Sequence, residues 1–136
     1  AVMAAANNPA PLGLGDALGL VIAVAAIAGE SVADSQLTRF ARNPANTGTV
    51  CNTGLWAWSR HPNYFFEFLY LVALVPIGIG HGWGLVTLAA PVMMFVLLRY
   101  VSGVPPLEQH MLRSRGEAFA AYQRRVPPFF PGLPRQ

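Results

Sequence analysis

Gly54-Leu-Trp-Ala-Trp-Ser-Arg-His-Pro-Asn-Tyr-Phe-Phe-Glu67 decides how the rest of the chain is read. Arg60, His61, Asn63, Tyr64 and Glu67 crowd together here, and an apolar run from Phe65 to Gly80 follows at once. In a chain with 11% charged residues, polar groups this concentrated at the mouth of an apolar helix need a reason. Pro62 suits the first turn of a helix, where its missing N–H costs nothing. A helix starting there puts Asn63 and Glu67 on one face, with Tyr64 beside them. Arg60 and His61 then sit just before the unpaired N–H groups and the positive dipole end, which favour an anion. The stretch reads as a donor-rich pocket at a membrane surface, suited to a phosphorylated or carboxylated ligand.

The surrounding composition sets the environment of that pocket. The chain has 136 residues, 54% of them hydrophobic, with mean hydropathy +0.41. This is too apolar for an ordinary soluble domain of the same size. Three runs approach the roughly 20 apolar residues that a bilayer span needs: 12–29, 65–80 and 83–101. The expected fold is therefore an all-α integral membrane protein, a single membrane domain with about three transmembrane helices and a cytoplasmic amphipathic C-terminal helix over 105–125. Residues 1–11 read as a short lead and 30–64 as a cytoplasmic loop whose first part, 30–40, continues as a polar helical segment. Asp16 reads as an interfacial charge at a helix start or as a buried functional one. Gly15 and Gly19 form a small-xxx-small pair that permits close helix packing.

All nine basic residues are arginines. None precedes the first apolar run, and none lies in the Gly80-His-Gly-Trp83 turn between the second and third. The positive-inside rule then puts the N-terminus and that turn outside and the C-terminus in the cytoplasm. Trp56 and Trp58 suit the interfacial aromatic belt. The arginines form no stripe interleaved with stacking aromatics, so nucleic acid is not an expected partner. Cys51 stands alone, which leaves neither a disulfide framework nor a zinc site within the chain. The first residues lack a basic n-region, so no cleaved signal peptide is expected.

Beyond Gly103-Val-Pro-Pro, the tail helix carries Glu108, Met111, Arg115, Ala118 and Tyr122 at three- and four-residue steps on one stripe. Glu108 and Arg115 are two turns apart, too far to pair directly, so a ligand between them is one reading. A cationic helix lying on anionic headgroups is the other. The closing Val126-Pro-Pro-Phe-Phe-Pro-Gly-Leu-Pro reads as a stiff aromatic cap on the bundle.

Three separated stretches together resemble the steroid 5α-reductase-like membrane proteins of bacteria. They are Gly54-Leu-Trp-x-x-Ser-Arg-His-Pro-Asn-Tyr-Phe-x-Glu67, Ser102-Gly-Val-Pro-x-x-Glu108 and Ser114-Arg-Gly-x-x-Phe-x-x-Tyr-Gln123, with Ala33-Asp-x-Gln-Leu37 in addition. The resemblance implies an NADPH-binding membrane fold in the bacterial inner membrane. In it, Asn63 hydrogen-bonds the cofactor, Asp34 and Arg39 hold its adenosine and phosphate end, and Glu108, Arg113, Arg115 and Tyr122 contact it from the tail. Arg60 and His61 belong to the same cofactor set, and Tyr64 and Glu67 line the reaction end, as catalytic residues. The implied reaction is reduction of a C=C bond in a lipid- or steroid-like enone. Phe66 departs from the pattern, since many relatives have glycine there. The resemblance also implies that residues 1–136 correspond to the C-terminal half of a longer fold, whose other half supplies the proton donor and much of the substrate cavity. The Arg-His-Pro-x-Tyr core recurs in membrane methyltransferases such as isoprenylcysteine carboxyl methyltransferase, so an S-adenosylmethionine-dependent methyltransferase is an alternative. A non-catalytic transmembrane subunit that partners other membrane subunits is a third.

Overall fold

The computed structural model describes residues 11–79 and 84–135. The lead at 1–10 and the turn at 80–83 lie outside the described residues. The described residues are helical, without strands. Helix α1 runs unbroken over Leu14–Arg42. Asp16 belongs to its first turn, where its carboxylate accepts the Gly13 N–H at 2.8 Å. That satisfies one of the orphan donors of a helix start and gives Asp16 a capping role there. The polar segment 30–40, read as helical, is the last part of this same helix, which runs on through Arg42, and the loop begins at Asn43.

Helix α2 covers Pro62–Gly78 and begins at the proline, as the sequence requires. It packs antiparallel on α1 along a seam of small residues. Gly19, Ala26 and Ala33 are the buried positions of α1, one every seven residues. A Cβ at Gly15 would meet the Pro76 carbonyl, and one at Gly19 would meet the Ala73 carbonyl at 2.6 Å. Only glycine allows the two backbones to approach this closely. At Gly29 the neighbour is the Phe66 ring. Phe66 thus fills the helix seam, over the space left by a glycine on α1.

The expected span at 83–101 is built from three helical types. A 3-10 turn covers Gly84–Leu88, helix α3 covers Ala89–Val96, and a π turn covers Leu97–Val101. Helix α4, Val104–Arg115, follows after a bend at Ser102 and Gly103. Two helical runs, Leu14–Arg42 and Gly84–Arg115, are long and apolar enough to cross a membrane. Helix α2 is as apolar but has 17 residues, so two of the three expected spans meet the length criterion. The outward faces are apolar too: Leu20, Val21, Val24 and Ile27 on α1, and Val92, Met93 and Val96 on α3, are exposed.

The single tail helix expected over 105–125 is two helices, α4 and α5, the latter Glu117–Arg125. Gly116 separates them at φ 55 and ψ −127, a conformation that side-chain-bearing residues rarely adopt. The stripe from Glu108 to Tyr122 therefore folds over on itself. Met111 of α4 packs against Phe119 and Tyr122 of α5.

The C-terminal segment then crosses back over the 58–60 turn. Arg60 N–H donates to the Pro127 carbonyl at 2.9 Å, and Gly132 N–H donates to the Trp58 carbonyl at 2.9 Å. The buried Ser59 hydroxyl donates to the Phe129 carbonyl at 2.8 Å. Phe129, 1% exposed, sits edge-on among Phe65, Phe68 and Phe95, with centroid distances of 6.5, 5.9 and 5.2 Å. This is the aromatic cap, and it joins α2 to α3.

Candidate functional site

The polar residues of the sequence motif gather where α2 begins. Arg60 is held in the turn before the helix, and its guanidinium reaches across to α4 and α5. Its Nε donates to Glu108 Oε1 at 2.7 Å and its Nη2 to Glu108 Oε2 at 3.2 Å. Its Nη1 donates to the Gln123 and Val126 carbonyls at 2.7 and 3.0 Å. A fork-on-fork pair of this kind is among the strongest charge-assisted contacts. It also spends most of the donors that an incoming phosphate would need.

His61, 3% exposed, places Nε2 at 3.0 Å from Glu108 Oε1. Gln123 donates to Glu108 Oε2 at 2.7 Å. Burial pushes the Glu108 carboxyl up. The hydrogen bond from His61, the charge of Arg60 and the bond from Gln123 outweigh burial, and the carboxyl is held below its usual value. Three segments remote in sequence are thereby tied at one carboxylate. The His61 ring stacks on Tyr64 at 5.5 Å between centroids, with 12° between planes.

The Tyr122 hydroxyl is buried and donates to the Trp56 carbonyl. Burial raises the phenol well above its usual value, so it stays protonated. Trp56, expected in an interfacial belt, is 7% exposed and donates its indole N–H to the Ala33 carbonyl at 2.9 Å. Leu55 N–H donates to the Gln36 side chain at 2.9 Å. The 54–57 turn is thus docked on the second half of α1, and Trp58 alone of the pair is exposed, at 49%.

Below this network lies a cavity of about 150 Å³. Asn63 and His61 form its polar wall, and Leu37, Met111 and Phe119 are among its apolar lining. Cys51 also lines it. The thiol is buried, and burial raises its pKa, which makes it a packing group rather than a reactive one. A second concavity of about 600 Å³ lies between the 46–57 segment and α5. It shares Val50 and Tyr122 with the inner cavity.

The structure brings together Arg60, His61, Asn63, Tyr64, Glu108 and Tyr122. Asp34 and Arg39 stand on the exposed face of α1, and Arg39 borders a separate shallow depression with Ser31, Ser35 and Gln36. Arg113 is exposed. Arg115 lies at the end of α4, with a buried Nε that has no partner among the described residues. Glu67 lies on α2, one turn beyond Asn63. Sequence reading did not assign a role to Gln123, Ser59 or Cys51. The adjacency of Gln123 to Tyr122 in the third motif stretch is the one signal for it.

An all-helical protein with two helices apolar enough to cross a membrane, and a buried polar network at one end of them, is the class that this fold and site define. The chain belongs to a family described as "Protein of unknown function (DUF1295)", whose model matches residues 1–126. No curated protein and no solved structure matches the chain.

Proposed function

We propose that the protein is a steroid 5α-reductase-like membrane reductase that uses NADPH to reduce a C=C bond in a lipid- or steroid-like enone. One observation carries this reading: the three motif stretches, far apart in sequence, converge on a single cavity. Arg60, His61 and Asn63 of the first stretch, Leu107 of the second, and Phe119 and Tyr122 of the third line it, and Glu108 ties Arg60, His61 and Gln123 together beside it. Apolar outward faces on α1 and α3 support a position in a membrane, where the arginine-rich end would face the cytoplasm of a bacterial inner membrane.

The cavities suit the cofactor in size and chemistry. An apolar cavity of about 150 Å³ is large enough for a benzene-sized ring, and the Asn63 side chain at its wall offers both a donor and an acceptor for a carboxamide. Bound NADPH would supply the hydride for the β-carbon of the enone. The chain's own residues bind and orient. Asn63 fixes the ring, while Glu108 holds Arg60 and His61 in place and so shapes the mouth of the site. Tyr64, held against the His61 ring, and Glu67 one turn further line the reaction end.

A titration of NADPH into the detergent-purified protein tests this reading, with S-adenosylmethionine alongside. Saturable NADPH binding that Asn63→Ala weakens by about three- to tenfold is expected, the worth of one hydrogen bond. Unchanged affinity in Asn63→Ala would remove Asn63 from the site. Binding of the methyl donor instead would make the protein a methyltransferase. Binding of neither would favour a non-catalytic membrane subunit, for which the apolar outer faces of α1 and α3 supply docking surface.

A further inference from the structure

Away from the polar site, α1, α2 and α3 enclose an apolar groove of about 330 Å³. Ile22 of α1, Val72 and Val75 of α2, and Leu88 and Val92 of the third helical run line it, and among the described residues no polar side chain does. The apolar surface runs on past the groove. Val92, Val96 and Arg99 follow at four- and three-residue steps, which keeps them on one side of the run, and both valines are exposed. Arg99 stands in the π turn Leu97–Val101, where this run ends. A π turn is wider than an α turn, and here the Arg99 guanidinium lies over the ring of its neighbour Tyr100, 5.0 Å from the centroid. That ring meets Phe95 edge-on at 5.9 Å, so the aromatic cap holds it in place. It is the one partner of the Arg99 guanidinium among the described residues. A ring face attracts the charge but accepts few of its N–H donors. No Asp or Glu occurs from Gly84 to Leu107, and the next carboxylate, Glu108, is taken up by Arg60, His61 and Gln123. The charge of Arg99 is therefore unmatched at the end of an apolar surface.

We propose that this face is a binding site for an anionic phospholipid, with the phosphate on Arg99 and one acyl chain laid along Val96 and Val92 into the groove. The inference rests on the membrane placement of the helices and is independent of the NADPH reading. The lengths agree. From Leu88 to Arg99 the run rises roughly 16 Å at helical pitch, and half the hydrocarbon core of a bilayer is about 15 Å. A phosphate accepts the donors that the Tyr100 ring leaves unused, and Tyr100, 61% exposed, suits the headgroup level where amphipathic rings sit. A lipid of net negative charge fits better than a zwitterionic one, because no carboxylate of this run receives a headgroup amine. A partner helix fits less well than lipid. Helices in a bilayer approach one another across small residues. Those of α1 are already used against α2, and Val92, Met93 and Val96 are bulky.

The test is native mass spectrometry of the detergent-purified protein, with phosphatidylglycerol and phosphatidylcholine of identical chains titrated into wild type, Arg99→Gln and Val92→Trp. Wild type should hold phosphatidylglycerol about tenfold more tightly, the worth of one charge-assisted contact. Arg99→Gln should erase that preference and leave the phosphatidylcholine affinity within about twofold. Val92→Trp fills the groove and should weaken both lipids by about tenfold or more. Val92 is 60% exposed, so the tryptophan displaces no core side chain, and Arg99→Gln reads the site independently of it. Arg124→Gln alters an arginine away from this face, paired with Glu117, and should match wild type. Equal affinity for the two lipids in wild type, or a preference that survives Arg99→Gln, would overturn the proposal. A mass of two chains with no lipid retained would also overturn it and give the groove to a second copy.

Discussion

The two ends of this molecule are built on opposite principles. Along the α1–α2 seam almost nothing polar is exchanged, and contact comes from small residues that let backbones close up. Gly15, Gly19 and Gly29 meet Pro76, Ala73 and Phe66 there. At the start of α2 the reverse holds. Charged and polar side chains are buried and nearly every donor is spent, as the four bonds of Arg60 show. The difference follows from what each region replaces on folding. Lipid is as apolar as leucine, so a helix pair gains only through close packing and the dispersion it allows. A buried carboxylate must be matched bond for bond or it destabilises the fold.

Substitutions at both regions and one change of pH would break or sharpen that contrast. The largest effect is expected for Glu108→Leu, which strands the Arg60 charge in a site where the side chain is 10% exposed. A loss of about 3–5 kcal/mol follows. Denaturant unfolding in mixed micelles should show it, and Arg60→Met with Glu108→Leu should recover a large part. If the single variant is as stable as wild type, the network does not hold this end together.

Gly19→Leu should cost about 1–3 kcal/mol by overpacking, because the new side chain meets backbone that has little room to move. At Gly29 the obstacle is a side chain, so Gly29→Ala should be rescued by Phe66→Leu. A double-mutant cycle with no coupling between positions 29 and 66 would contradict the seam geometry.

The pH dependence isolates the carboxylate. Glu108 titrates below its usual value in the folded state. Its contribution is therefore present above the unfolded pKa of about 4.3 and is lost as pH falls through the folded one. Melting temperature against pH should decline on the acid side of that value, and Glu108→Gln should remove this share of the decline. A slope unchanged in the variant would assign the acid sensitivity to other carboxylates.

The smallest effect belongs to Arg124→Ala. Its ion pair with Glu117 has side chains 64% and 79% exposed, and such pairs contribute at most about 1 kcal/mol. A cost comparable with that of Glu108→Leu would mean that burial is not what separates the two pairs.

Much of this architecture can be read without coordinates where the determinants are local. Pro62 opens α2 because a proline is free of cost only in the first turn. Gly15 and Gly19 mark a helix contact because four-residue spacing puts both on one face. The aromatic cap follows from a stiff, apolar, proline-flanked segment that has no other place to lie. The residues of the polar site are equally legible as a set, since polar groups in so apolar a chain need a shared purpose.

Which group answers which belongs to the tertiary structure alone. Arg60 and Glu108 are 48 residues apart, and no periodicity joins them. Reading by sequence gave both to a ligand, whereas the fold gives them to each other. The same is true of Trp56, which an aromatic belt would accept and which the turn at 54–57 buries against Ala33. Gly116 could sit inside a tail helix at modest cost, and only the return of Met111 onto Phe119 and Tyr122 shows why the helix must break there. The sequence by itself determined where α2 starts, which face of α1 is small and which residues are too polar to be idle. Their pairing is decided by the three-dimensional path, because burying a charge requires its partner within hydrogen-bond reach, and reach is a property of the fold.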